Sequence, residues 1–187
     1  MKSIAVYCGA SPGANPVYAD AARGLARVLV DHNIALVYGG GKVGLMGVIA
    51  DEVLRLGGEA TGVIPKALVE REVGHAGLTR LFVVKDMHER KAMMADLAEG
   101  FIAMPGGMGT LEELFEMVTW AQLGIHAKPI GLLNVDGFYD GLARFVEHMV
   151  EQGFVRPAHA ELLTLDASPE ALVQRLMQRA VPGSAAG

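Results

Sequence analysis

Residues 105–113, Pro-Gly-Gly-Met-Gly-Thr-Leu-Glu-Glu, carry an unusual combination of chemistry. Three glycines among the four residues after a proline cost conformational entropy and would weaken an ordinary helix or strand. A backbone stripped of Cβ atoms suits the close approach of an anion. The amides of Gly106, Gly107, Gly109 and Thr110, at the start of a helix beginning near Thr110, would offer it N–H donors and a favourable dipole. Two carboxylates, Glu112 and Glu113, follow at once. Thr110 and Glu113 also fit the capping box T-x-x-E, in which Glu113 would reach back to the Thr110 amide. Both readings of Glu113 are open on sequence. In either, the helix N-terminus keeps the carboxyl ionised, which suits a base or a stabiliser of positive charge better than a proton donor.

Other candidates are weaker when taken singly. Arg90 and Lys91 are adjacent cations in a helical segment, a pattern that usually marks a solvated face. Cys8 has no neighbouring histidine to activate it and reads as a small buried residue. The six histidines show no metal-ligand spacing, so no metal is expected. Lys42 and Lys66 could be considered for a pyridoxal Schiff base, but neither sits in a supporting motif, and no cofactor is expected.

These residues need a scaffold. "SIAVYC" (3–8) and "IALVYG" (34–39) are short apolar runs that fit buried parallel strands. Between them, Val17, Ala21, Leu25, Val28 and Leu29 recur at helical spacing after an Asn15-Pro16 start. The alternation continues: a helix stopped by Gly57-Gly58, strand "EATGVIP", strand 80–84, helix 87–98, strand 100–104, helix 110–123, strand 129–133 and helix 137–152, then "ELLTLD" and a last helix over "SPEALVQRLMQRA". About seven strands alternating with helices predict a doubly wound α/β sheet in one domain over residues 1–180, with 181–187 a frayed tail. In such sheets ligands sit beyond the carboxyl ends of the strands. Three of those ends are glycine-rich: "CGASPG" (8–13), "YGGGKVGLMG" (38–47) and "MPGGMGT" (104–110). Three converging on one edge predict a phosphate cradle. None matches the P-loop or the dinucleotide fingerprint, so the expected nucleotide site is of another design.

Composition narrows the partners. The 187 residues carry a net charge of -5, with no basic run longer than two, which argues against a nucleic-acid surface. A single cysteine suits a reducing compartment. No signal peptide is read at the start, and no apolar run approaches the roughly 18 residues of a membrane span. A cytoplasmic protein is expected.

"PGGMGTLEE" (105–113) fits the P-G-G-x-G-T-x-x-E signature of the LOG family, cytokinin riboside 5′-monophosphate phosphoribohydrolases long labelled lysine decarboxylases. "DMHERKA" (86–92), "TWAQLGIHAKPIGLLN" (119–134), "CGAS", "GGGKVGLMG" and "GVIPKAL" are similar to the same family, so the resemblance spans about residues 4 to 175. It implies a modified Rossmann fold, a two-fold dimer using helices 87–98 and 110–123, and hydrolysis of a nucleoside monophosphate to free base and ribose 5-phosphate. By the same resemblance Arg90 and Glu113 are the catalytic pair, Lys91 is an accessory phosphate or ribose contact, and Glu112, Glu72 and Thr119 line the ligand pocket. Met108 stands where plant-type members often carry tyrosine, a difference that bears on base preference. The residue types suit the reaction. Cleaving an N-glycosidic bond builds positive charge on the sugar and negative charge on the leaving base, which a carboxylate and a guanidinium respectively offset. Molybdenum-cofactor carrier proteins also resemble this family, which leaves a non-catalytic binding protein as the alternative. A carrier has no need of Arg90 and Glu113 beside a ribose.

Overall fold

The computed structural model describes residues 1–69 and 74–180. Seven parallel strands form one sheet in the order β4-β3-β2-β1-β5-β6-β7. The strands are β1 (Ser3–Tyr7), β2 (Ala35–Tyr38), β3 (Ala60–Pro65), β4 (Arg80–Val84), β5 (Phe101–Ala103), β6 (Ile130–Leu133) and β7 (Leu163–Asp166). The helices between and after them are α1 (Val17–Asp31), α2 (Gly44–Arg55), α3 (Met87–Leu97), α4 (Met108–Gln122), α5 (Asp140–Glu151), the single turn α6 (Pro157–Ala160) and α7 (Pro169–Ala180). This is the α/β, doubly wound Rossmann-like arrangement that the alternation predicts.

The central strands are apolar on both faces because helices cover both. Ile4 and Val6 point into one core with Leu25 and Leu29 of α1, Ile49 and Val53 of α2, and Leu172 and Leu176 of α7. Ala5 and Tyr7, one step along the pleat, point into the other core with Met94 of α3 and Leu114 and Met117 of α4. Met94, Leu114, Met117 and Val118 are thus core residues. The resemblance implies that α3 and α4 also build a dimer contact; these four side chains pack on the sheet, and any such contact falls to other residues of the two helices.

The sheet winds outward from β1 through β2 and β3 to β4, and the chain then returns to lay β5 on the other side of β1. The order reverses between β1 and β5, in register at Ala5↔Phe101 and Tyr7↔Ala103. Their carboxyl ends therefore form the crevice where open α/β sheets bind ligands. Two boundaries differ from expectation. Helix α4 starts at Met108, two residues before Thr110, with Gly107 in extended conformation as its N-cap. The expected helix 137–152 opens instead with a 3-10 turn, Val135–Gly137, in which Asp136 adopts φ 51°. The expected frayed tail, 181–187, lies outside the described residues.

Candidate active site

A hollow of about 290 Å³ lies at the β1/β5 crevice. Cys8, Gly9 and Ala10 from the end of β1 form one wall; Gly107, Gly109, Thr110, Glu112 and Glu113 from the start of α4 form another; Met87 and Arg90 of α3, with Met46 and Leu68, complete it. A second, apolar recess of about 450 Å³ shares Gly9, Ala10 and Gly107 with the first and extends past Ser11, Pro12 and Gly13 to Tyr18, Leu45 and Phe138. Tyr18 and Phe138 meet there edge to face, with ring centroids 5.9 Å apart.

The glycines have separate tasks. A Cβ on Gly106 would stand 2.1 Å from Thr110 Oγ1 and 2.9 Å from the Gly9 amide nitrogen, so this position is glycine because the Thr110 side chain and the Gly9 backbone fill the space. The Gly9 amide also donates to the Pro105 carbonyl at 3.1 Å, stitching the ends of β1 and β5 together. At Gly107 and Gly109 a Cβ would meet nothing within 4 Å. These two leave the surface bare on the side of the hollow. The first intrahelical bond at this end of α4 runs from the Leu111 amide to Gly107 O, so the amides of Met108, Gly109 and Thr110 stand ahead of the hydrogen-bonded ladder. The helix starts two residues earlier than expected, so its leading donors are Met108, Gly109 and Thr110 rather than a set that begins at Gly106.

The shift removes the capping-box reading of Glu113. With Gly107 as N-cap, Thr110 lies inside the helix, buried under Gly106, and Glu113 is a turn too far along to cap it. A related pair of bonds forms one helix earlier. Asp86 is the N-cap of α3 and accepts from the Glu89 amide at 3.0 Å, while Glu89 Oε2 accepts from the Lys85 amide at 2.7 Å. The Glu89 amide bond holds the Asp86 carboxyl below the usual carboxylate range. These bonds fix the turn from which Arg90 projects.

Arg90 is 5% exposed. Its Nη2 donates to the Gly39 carbonyl at 3.2 Å and its Nη1 approaches Met87 Sδ at 3.7 Å. The guanidinium passes over Gly39, the first glycine after β2, where a Cβ would stand 1.9 Å from Nη2. Arg90 and Glu113 both act on Cys8. Burial pushes the Cys8 thiol up well beyond its ordinary range, the Glu113 charge pushes it further, and Arg90 opposes. Such a thiol is a poor nucleophile, as its sequence setting indicates. Burial, then Glu113 and Glu116, also raise the Tyr7 hydroxyl, whose ring lies under α4.

The remaining candidates separate. Glu112 lines the hollow and is half exposed. Lys91 does not line it; its ammonium is buried between Glu112 and Glu116. Met108 is 85% exposed and lies outside both hollows. Thr119 donates to the Phe115 carbonyl at 2.7 Å and lines a different groove, between α4 and α5, with Phe145 and Met149. Glu72 falls outside the described residues. Among the described residues no group of three or more His, Cys, Asp or Glu could hold a metal ion, and no helix is long and apolar enough to cross a membrane. Sequence reasoning missed Gly39, Met46, Met87 and Glu116. The "GGG" at 39–41 carried a signal for the first; the others are defined only by what folds against them.

Residues 46–176 match a protein family described as "Possible lysine decarboxylase". Lys42 and Lys66 are both exposed and neither lines the hollow. The chain is 50% identical over 176 residues to the cytokinin riboside 5′-monophosphate phosphoribohydrolase LOG1 of Arabidopsis thaliana, covering 94% of this chain and 83% of that one. It is 49% identical, again over 94% of its length and 72% of the relative's, to the probable enzyme LOGL2 of Oryza sativa subsp. japonica. Among solved structures, the molybdenum cofactor binding protein of Rippkaea orientalis superposes with a TM-score of 0.72 at 20% identity, covering 97% of this chain and 99% of that one. That last likeness speaks to fold alone.

Proposed function

The chain belongs to the cytokinin riboside 5′-monophosphate phosphoribohydrolase family, and from that premise we propose how it hydrolyses the N-glycosidic bond of a purine nucleoside 5′-monophosphate. The substrate is AMP or a cytokinin-type N6-substituted adenosine monophosphate, and the products are free base and ribose 5-phosphate. The observation that carries the mechanism is the convergence of Arg90, Glu113 and the leading amides of α4 on one hollow at the β1/β5 crevice.

The 5′-phosphate sits on the amides ahead of the α4 ladder, where the helix dipole favours an anion and the bare Gly107 and Gly109 admit it closely. The ribose then lies between Glu113 and Arg90. As the bond from C1′ to the base nitrogen breaks, its electron pair leaves with the base and positive charge grows on the sugar. Glu113 offsets that charge and polarises the attacking water; Arg90 offsets the charge on the departing base. Water supplies the hydroxyl at C1′ and the proton that the base takes up. The carrier reading draws on fold likeness alone, and a carrier has no use for this pair of charges.

Assembly and location belong to the same proposal. Two-fold pairing would use the groove between α4 and α5, where Phe145 is 57% exposed and Thr119 lies beside it. Met108 and Thr119, which lie outside the hollow of their own chain, would reach substrate only in that assembly, and a monomeric mass at micromolar concentration would sink it. The lone cysteine, which can form no internal disulfide, supports a reducing, cytoplasmic setting.

Incubating the purified chain with isopentenyladenosine monophosphate, AMP and the matching nucleosides, and following base release, tests the reaction. Release from the monophosphates is the expected result. Equal release from the nucleosides would remove the phosphate cradle, and no release from any would remove the hydrolase.

A further inference from the structure

Arg90 and Lys91 are consecutive on α3, so their side chains leave the helix about 100° apart. Arg90 turns over Gly39 and into the hollow; Lys91 turns under α4. Its side chain is 7% exposed, and it contacts Glu112 Oε1 and Glu116 Oε2, the latter at 3.1 Å. Glu112 and Glu116 are one helical turn apart, a like-charge spacing that disfavours an isolated helix. A buried ammonium between them reverses that sign. Burial works against the charged lysine, but the two carboxylates outweigh it and its pKa is raised.

Of the two carboxylates, Glu112 also lines the hollow. An ionised carboxyl only accepts hydrogen bonds, so it suits the hydroxyls of a ribose and repels a phosphate dianion. Its usefulness depends on one oxygen being held so that the other keeps a fixed direction. We propose that Lys91 is a positioning residue that holds Glu112 toward the sugar of the substrate and makes no contact with the phosphate. The inference rests on the phosphoribohydrolase reading, and it departs from the direct ligand contact that family resemblance implies for this lysine.

The full chain carrying Lys91→Met, Lys91→Arg, Glu112→Gln, or Lys91→Met with Glu112→Gln provides the test. Base release is measured from AMP and adenosine, and calorimetry gives the affinity for both. Lys91→Met is expected to lose about tenfold in kcat/KM, as removing an outer-shell partner typically does, and by the same factor for both compounds. Lys91→Arg should recover part of it. In the Glu112→Gln background the lysine change should add nothing, because the group it positions is no longer a carboxylate. A loss confined to AMP would mean phosphate contact and overturn the inference; so would a loss that persists undiminished beside Glu112→Gln, which would mark a structural ion pair. Should the wild type release no base, the hydrolase reading fails by itself, and the AMP-to-adenosine affinity ratio of Lys91→Met still decides the role of the lysine: unchanged supports positioning, lowered overturns it.

Discussion

The guanidinium of Arg90 occupies the space that a side chain at Gly39 would need. A Cβ there would lie 1.9 Å from Nη2 and 3.1 Å from Met46 Sδ, while the Gly39 carbonyl accepts from the same Nη2. The atoms in the way are the mobile ends of long side chains. Gly39→Ala should therefore fold with a Tm close to wild type yet move the arginine off its seat. Displacements of this size at a reacting group cost on the order of 10²-fold in rate. Steady-state base release and a melting curve on the same sample check it, and full activity would detach Arg90 from the chemistry.

Gly106 and Gly107 should respond differently to the same change. Gly106→Ala drives a Cβ into Thr110 and the Gly9 amide, neither of which can swing away, and overpacking of this kind costs about 1–3 kcal/mol. Gly107→Ala meets nothing of the protein's own. It should lose at most the roughly 1 kcal/mol of an altered N-cap and weaken binding of the 5′-monophosphate. Urea titration and substrate affinity for the two variants separate the roles; a destabilised Gly107→Ala with normal affinity would reverse them.

Glu113→Gln keeps shape and volume while removing charge. Because α4 is capped at Gly107, no cap is lost and the melting temperature should hold. Loss of the carboxylate from the transition state should lower kcat by about 10²-fold or more, and Arg90→Ala by a similar factor. An active Glu113→Gln enzyme would leave the mechanism without its anion.

Asp86 gives a pH signature. Its folded pKa is lowered by the Glu89 amide, so its stabilisation is complete above the unfolded carboxylate value of about 3.9 and is lost as pH falls through the native pKa. Wild type should melt above Asp86→Ala from neutral pH down to about 4, and the gap should close in more acid solution. Thermal melts across that range measure it. A gap that is flat to the lowest pH would show that the capping carboxylate is not responsible.

The strand–helix alternation was readable because buried parallel strands and amphipathic helices leave different spacings, and Gly57-Gly58 and Pro16 mark ends that local sterics impose. The glycine-rich strand ends were likewise legible as one edge of the sheet, where the hollow lies. What sequence could not resolve was which glycine packs against the protein and which faces open space, since Gly106 and Gly107 differ only in what lies across from them. It also left the capping-box reading of residues 110–113 open. T-x-x-E at 110–113 satisfies the pattern as well as D-x-x-E at 86–89, and only the extended conformation of Gly107 decides between them. Lys91 shows a related limit: consecutive residues such as Arg90 and Lys91 leave a helix about 100° apart, so neighbours in sequence need not share a target.

The stitch between Gly9 and Pro105–Gly106 joins positions almost a hundred residues apart, at the seam between the β1–β4 half of the sheet and the β5–β7 half. No binding floor exists until both halves have met, so its assembly waits on one of the longest loop closures in the chain. A ligand seated across that seam is bound by the native state and by neither half alone. Its binding free energy adds to global unfolding, about 2.7 kcal/mol at a hundredfold excess over Kd. Hydrogen exchange with saturating nucleotide should then slow at the innermost amides of β1 and β5, which open only when the whole sheet does, as much as at the glycine loops themselves.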